Sequence, residues 1–180
     1  MNKPLCTFFS KTNSCKHGDD CIKTHKLLEN SPCLVLKNLY FYPQNDTKNS
    51  LSDFEIQLHS EFFFEDIFTT LSLDYGEIKN LIIAQNSCKH ILGNVYVQFE
   101  SKSSAESAFL GLSTRTYFYS EIKVEKGAMF NISEGVCEDF LRRSCTKGGD
   151  CSYVHPIRIS KKLIDELYLS QKYFLKRKII

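Results

Sequence analysis

What this chain of 180 residues lacks narrows its class first. No apolar run approaches the roughly 20 residues that a membrane-spanning helix needs. Met1 is not followed by a basic-then-apolar leader. Together these absences predict an intracellular protein made under reducing conditions, with no membrane partner. No low-complexity tail is present, and an apolar fraction of 42% is too high for global disorder. No phosphate-cradling glycine loop occurs, since Gly148-Gly149 stands outside any such pattern. No nucleophile–base–acid set stands out either, so no enzyme and no small-molecule substrate are expected. Tryptophan is absent altogether, and the net charge of +2 points to no partner by itself.

The distribution of charge says more. Residues 1–30 carry five Lys against three acids, and residues 156–180 carry seven Lys or Arg against two acids. The middle, 31–155, carries eleven against sixteen. Basic ends suit phosphate contacts, and an acidic centre suits a basic protein partner.

What the chain has in plenty is cysteine, eight in all. Six fall into two clusters, each closed by a histidine. The first reads Cys6, eight residues, Cys15, five residues, Cys21, three residues, His25. The second reads Cys137, seven residues, Cys145, five residues, Cys151, three residues, His155. Three thiolates and an imidazole are what a closed tetrahedral Zn²⁺ site needs. The repeated inner gaps favour two zinc knuckles over four disulfides. Both sets supply four protein ligands and leave no open position for a catalytic water. Cys33, at the start of a strand, and Cys88, in a loop, are expected to be structural.

Between the knuckles the pattern changes. Cys33–Tyr40 is a short apolar run, read as a buried strand, and 43–50 is a polar loop. Ser52 with Glu55 forms a capping box that opens a helix to about Leu73. Phe64, Ile67, Phe68 and Leu71 share its core face; Phe54, Phe62 and Phe63 are expected off that face, a hint of a permanent partner. Tyr75-Gly76-Glu77 stops it. Strands are predicted over 78–84 and 93–99. Ser103 with Glu106 is expected to cap a helix through Leu112, and a last strand follows over 120–125. The order β-α-β-β-α-β is that of a ferredoxin-like α+β domain. The predicted organisation is a knuckle over 1–30, this domain over 31–127, a second knuckle over 131–157, and a C-terminal helix with a basic tail over 158–180. Leu163, Ile164, Leu167 and Tyr168 share one face of that helix, which should pack on something.

Such a domain beside zinc knuckles suggests an RNA-recognition fold. Leu92–Phe99 keeps the fold-defining half of the expected strand motif but has Leu92 and Asn94 where a basic residue and a stacking aromatic belong. Val35 occupies the stacking position of the first strand. With base stacks worth about 1–3 kcal/mol each, a sheet offering only Tyr96 is a poor RNA platform. The fold is expected to bind protein instead.

The order knuckle, degenerate RNA-recognition domain, knuckle, helix resembles the small subunit of the U2 auxiliary factor. The strings that carry the resemblance are Lys16-His17-Gly18-Asp19, Asn38-Leu39-Tyr40, Pro43-Gln44-Asn45, Phe63-Phe64-Glu65, Tyr75-Gly76-Glu77, Gly93-Asn94-Val95-Tyr96-Val97, Gly148-Gly149 and Glu166-Leu167-Tyr168. They run through nearly the whole chain. The resemblance implies a nuclear pre-mRNA splicing factor. Its knuckles would read the AG at the 3′ splice site of single-stranded pre-mRNA. Its central domain would grip a Trp-containing peptide of the large subunit. The family's Arg-x-Phe motif falls on Arg115-Thr116-Tyr117, and Glu65 and Asp66 are the acidic candidates of the first helix. Phe8, Phe9, Phe140 and Tyr153 are then candidates for stacking on bases, and Lys16, Lys23, Arg142, Arg143 and Lys147 for phosphates or base edges. The alternative for each aromatic is packing against the zinc loop or the sheet.

The chain departs from the family pattern at several places. Thr116 stands where animal members carry a tryptophan that inserts into the large subunit, leaving Phe118 or Tyr119 as substitutes. Ile22 replaces a small polar residue. Glu138 and Asp139 replace Arg and Gln; they repel phosphate and predict a second knuckle that either binds RNA weakly or supports the first. The arginine–serine tail of larger members is absent. Two other functions fit the same residues: an adaptor of mRNA turnover or 3′-end processing, and a protein scaffold whose zinc sites are only structural.

Overall fold

A computed structural model describes residues 3–43 and 51–177. Most of the polar loop expected over 43–50, including Gln44 and Asn45, and the last three residues of the basic tail lie outside the described residues.

The central unit runs β1 (Cys33–Leu36), α2 (Asp53–Tyr75), β2 (Ile78–Ile83), β3 (Val95–Phe99), α3 (Lys102–Leu112) and β6 (Val124–Lys126). It is preceded by a short helix, α1 (Thr7–Thr12). Its four strands form one sheet in the order β2-β3-β1-β6, antiparallel throughout. This is the expected ferredoxin-like arrangement.

The long helix α2 begins as predicted. Ser52 Oγ accepts from Glu55 N, and the Glu55 carboxylate accepts from Ser52 N at 2.8 Å. Phe64, Ile67, Phe68 and Leu71 are all buried and pack on Leu34, Leu36, Leu81, Val95 and Val97 of the sheet. Each such side chain fully buried contributes about 1.5–3 kcal/mol relative to exposure. Phe54 and Phe62 are exposed as expected, but Phe63 is buried: its ring meets those of Tyr40 and Tyr117 edge-on at 4.8 and 5.7 Å. Tyr40 follows β1 and Tyr117 lies in a short hairpin, and periodicity along the helix places neither.

Two other expectations need correction. The cap of α3 is Ser101, whose Oγ accepts from Ser104 N at 3.0 Å. Glu106 is not its capping partner but pairs with Lys126 at 2.7 Å. The strand expected over 120–125 is divided. Residues β4 (Thr116–Tyr117) and β5 (Ser120–Glu121) make a separate hairpin, and β6 joins the sheet only from Val124.

The C-terminal helix α5 (Lys161–Arg177) packs along α2. Tyr168 meets Phe68 edge-on at 4.9 Å and Leu167 is buried. Gln171 closes the joint: its Oε1 accepts from Ser72 Oγ at 2.9 Å and Ile78 N at 2.8 Å, and its Nε2 donates to Ile78 O at 2.9 Å.

The central strands β1 and β3 are buried on both faces, so they do not alternate between core and solvent. On the face away from α2 and α3, Val35, Ala84, Ile91 and Tyr96 pack with Met129, Ile132 and Val154. Tyr96 OH donates to Thr12 O at 2.9 Å, and Gln98 bonds Phe130 O and Ile132 N. The surface that an RNA-recognition fold would offer to bases is therefore covered by the knuckles and the segment joining them. Among the described residues no helix is long and apolar enough to cross a membrane.

Candidate zinc centres and nucleic-acid interface

Both Cys/His clusters are assembled by the same local structure. The amide of the first cysteine bonds to the carbonyl of the residue just before the closing histidine: Cys6 N to Thr24 O and Cys137 N to Val154 O, each at 2.9 Å. A helical segment follows, α1 in the first knuckle and α4 (Glu138–Leu141) in the second. The five-residue gap is bridged in each by a single 3₁₀ turn, Gly18–Asp20 and Gly148–Asp150. Each turn opens on a glycine with left-handed φ, 49° and 54°, where a side chain would strain the bend.

In each cluster the four donor atoms lie within 4.8 Å of one another. Cys15 and Cys21 Sγ are 3.9 Å apart, and Cys137 and Cys151 Sγ are 3.8 Å apart. A tetrahedron with Zn–S bonds of about 2.3 Å has edges of about 3.8 Å. Nε2 of His25 and of His155 are both buried without a hydrogen-bond partner. A buried nitrogen with no partner is costly unless it ligates something, so the donor sets fit zinc. Burial works against ionising Cys6, but the amides of Phe9 and Phe8 hold its thiol below the ordinary range. The Lys147 amide does the same for Cys145. Burial pushes Cys15 up, and Cys137 up to about 11. A divalent cation supplies the charge that lets all three thiols of a site ionise together.

Of the proposed stacking residues, Phe9 and Phe140 lie flat on the ligand histidines. Their ring centroids are 4.2 Å from His25 and 4.1 Å from His155, with interplanar angles of 3° and 14°. Phe8 and Tyr153 behave differently, for they meet each other across the two knuckles, edge-on at 5.7 Å. Lys11 Nζ lies 5.9 Å over the Tyr153 ring. Lys16, Lys23, Arg143 and Lys147 are exposed, and Arg142 makes an exposed pair with Glu138 at 3.4 Å. Glu138, Asp139, Lys11 and Tyr153 line one cleft between the knuckles.

Three asparagines fix the knuckles; of these the sequence marks only Asn94, and only as a missing aromatic. Asn13 donates to Lys126 O at 2.8 Å and accepts from Ala128 N. Asn94 donates to Ser14 Oγ of the first knuckle at 3.3 Å and to the His90 carbonyl, and accepts from Asn38 N. Asn86, fully buried, donates to Cys151 O and Tyr153 O and accepts from His155 N at 2.7 Å. Gly135 allows a close approach of the two knuckles, since a Cβ there would run into the Lys11 carbonyl.

On the helical side, Tyr117 OH donates to Asp66 at 2.8 Å. Arg115 turns away from Glu65 and Asp66 to pair with Asp74 at 2.6 Å and to cover the Tyr75 ring at 5.5 Å. Glu65 is exposed.

Residues 1–21 match the family described as zinc finger C-x8-C-x5-C-x3-H type (and similar). The chain is 35% identical over 173 residues to the splicing factor U2AF 26 kDa subunit of Bos taurus, covering 93% of this chain and 79% of that protein. The chain belongs to the U2AF small-subunit family of splicing factors. It is also 33% identical to the Drosophila melanogaster U2af 38 kDa subunit, over 93% of this chain and 66% of the relative. Identity to the Schizosaccharomyces pombe U2AF 23 kDa subunit is 29%, over 97% and 81%. A solved chain described as "Structure of RNA15 RRM" aligns at 16% identity with a TM-score of 0.36, over 58% of this chain and 98% of that one. As a member of this family the chain is a splicing-factor subunit and not an enzyme, and its two Cys₃His clusters agree with the zinc-finger match.

Proposed function

We propose that this chain is the small subunit of a U2 auxiliary factor heterodimer in the nucleus, and that its two zinc fingers together read the AG of the 3′ splice site on single-stranded pre-mRNA. The observation that carries this reading is the meeting of the fingers at Phe8 and Tyr153, beside a sheet whose own face is covered. Neither finger is a separate bead, so an AG dinucleotide would meet both at once. Phe8 and Tyr153 would stack on bases, because Phe9 and Phe140 already use one face on the ligand histidines. Lys16, Lys23, Arg142, Arg143 and Lys147 would contact phosphates or base edges. Zinc, bound by Cys6, Cys15, Cys21 and His25 and by Cys137, Cys145, Cys151 and His155, supplies the folding free energy that fingers this small cannot draw from a core.

The test is binding of the zinc-loaded protein to a short uridine-rich RNA ending in UAG, against UAC. Preference for UAG, lost in Cys15→Ser and Cys145→Ser, is expected. Equal binding to both sequences would leave a scaffold with structural zinc. The large subunit's Trp-containing peptide would be held on the helical side by Tyr117, Asp66, Glu65 and Arg115. Calorimetry with a basic, tryptophan-containing peptide should show loss of binding in Tyr117→Ala and Arg115→Glu, and unchanged affinity would refute the assignment.

A further inference from the structure

A cavity of about 330 Å³ opens where the second finger meets the start of α2. Tyr42, Asp53, Gln57, Gln85, Phe140 and Arg158 are among its walls. Phe140 is the ring that stacks on the ligand His155, so the cavity and the finger share a wall. No residue that lines it also lines the cleft of Lys11 and Tyr153. None belongs to the peptide site of Glu65, Asp66, Arg115 and Tyr117 either.

The polar groups of this joint are used on one side only. Gln57 Nε2 donates to Glu61 Oε1 at 2.8 Å and to Arg158 O at 2.9 Å, and Gln85 Nε2 donates to Pro156 O at 3.1 Å. Every partner is an acceptor, so neither amide can be turned round. Both Oε1 atoms are left as fixed, unused acceptors. Asp53 and Arg158 are exposed, and among the described residues neither side chain has an ion-pair partner. The cavity therefore combines two aromatic rings, two carbonyl acceptors, a carboxylate and a guanidinium. A nucleotide answers each of these: its base stacks on a ring, an exocyclic amine donates to the acceptors, and its phosphate meets the arginine. Uracil answers them poorly, because it has no amine and turns a carbonyl oxygen to each side of its one N–H.

We propose that this cavity is a further RNA subsite: it takes one nucleotide next to the AG, stacked on the face of Phe140 turned from His155, and selects a base with an exocyclic amine over uracil through Gln57, Gln85 and Asp53. Arg158 holds the phosphate of that nucleotide. The inference rests on the finger reading above and deepens it. Phe140 and Tyr153 belong to the same finger, so one strand can pass from the cleft between the fingers to this cavity.

The experiment uses the zinc-loaded protein and fluorescein-labelled RNAs in which a single AG stands among uridines. Adenine, cytosine or guanine replaces one uridine at a time within two positions of the AG on either side, and affinity is read by fluorescence anisotropy. At one of these positions an amine-bearing base should bind about tenfold tighter than uracil, within the range of a good base-edge contact. Deleting the exocyclic amine from that base should remove the gain. In Asp53→Ala and in Gln85→Leu the gain should fall below about threefold; Asp53 is exposed and without an ion-pair partner, so its loss leaves the fold intact. The gain is a ratio of two affinities of one protein, so a general weakening of either variant does not imitate the result. Equal affinity for uracil and the other bases at every position, or a gain that both variants keep, would overturn the subsite while leaving AG reading standing. Failure of the parent to prefer UAG over UAC would overturn both.

Discussion

Asn86 is the residue whose loss should separate the second finger from the sheet. Its side chain is fully buried and makes three hydrogen bonds to finger backbone: to Cys151 O at 3.0 Å, to Tyr153 O at 2.9 Å and from His155 N at 2.7 Å. A typical hydrogen bond contributes about 0.5–1.5 kcal/mol net, and a buried group left without a partner costs about 1–3 kcal/mol. Asn86→Ala strands two carbonyls and an amide at once, so a loss of about 3 kcal/mol is expected. For a cooperative domain of this size that is a fall of roughly 6–12 °C in melting temperature. Asn86→Asp separates hydrogen bonding from packing. It keeps the acceptor for His155 N but turns a carboxylate oxygen toward the Cys151 and Tyr153 carbonyls, so it should destabilise at least as much as alanine. The assay is thermal unfolding of the zinc-loaded protein, with metal release followed by a chromogenic chelator. One of the two zincs should leave earlier in both variants. A melting temperature within about 1 °C of the parent, with unchanged release of both metals, would refute the reasoning.

Stripping zinc with a strong chelator should uncover the sheet face formed by Val35, Ala84, Ile91 and Tyr96; the check is a rise in binding of an apolar fluorescent dye while the circular dichroism of α2, α3 and α5 is largely retained. Cys33, fully buried and pushed by burial from 9.0 to about 11, should resist alkylation at pH 8 in the folded zinc-loaded protein, where only about one thiol in a thousand is ionised. Its protonated form is favoured in the fold, so its contribution to stability is complete below about pH 9 and lost as pH rises toward 11; alkaline titration of the melting temperature should show a decline beginning in that window. Gln171→Leu removes the polar joint between α5, Ser72 and Ile78 and should cost about 2–3 kcal/mol in denaturant unfolding, since it leaves buried backbone groups of Ile78 unpaired.

The zinc ligands were legible because metal spacing is a local property: all four donors of a finger lie within 20 or fewer residues, and two like clusters reinforce each other. The central fold was legible from periodicity, down to the Phe64–Leu71 face of α2. Phe63 escaped because what buries it, Tyr40 after β1 and Tyr117 in the β4–β5 hairpin, comes from segments whose position the helix pattern does not predict. The docking of the fingers escaped for a related reason. Asn86 reaches partners 65 to 69 positions away and Asn13 reaches Lys126 across 113, and an asparagine in a loop reads the same whether it latches two units or faces water. The missing aromatics at Val35 and Asn94 go with a sheet face that the knuckles cover, a relation visible only in three dimensions.

The central claim is that RNA meets the fingers and not the sheet. The most direct measurement is photo-crosslinking of a 4-thiouridine-containing, uridine-rich RNA ending in UAG to the zinc-loaded protein, with the attached peptides identified by mass spectrometry. The account predicts adducts on finger peptides spanning residues 8–25 and 138–153, around Phe8 and Tyr153, and none on β1 or β3. Adducts on Val35, Tyr96 or Gln98 would contradict it, because they would require the fingers to leave the sheet face.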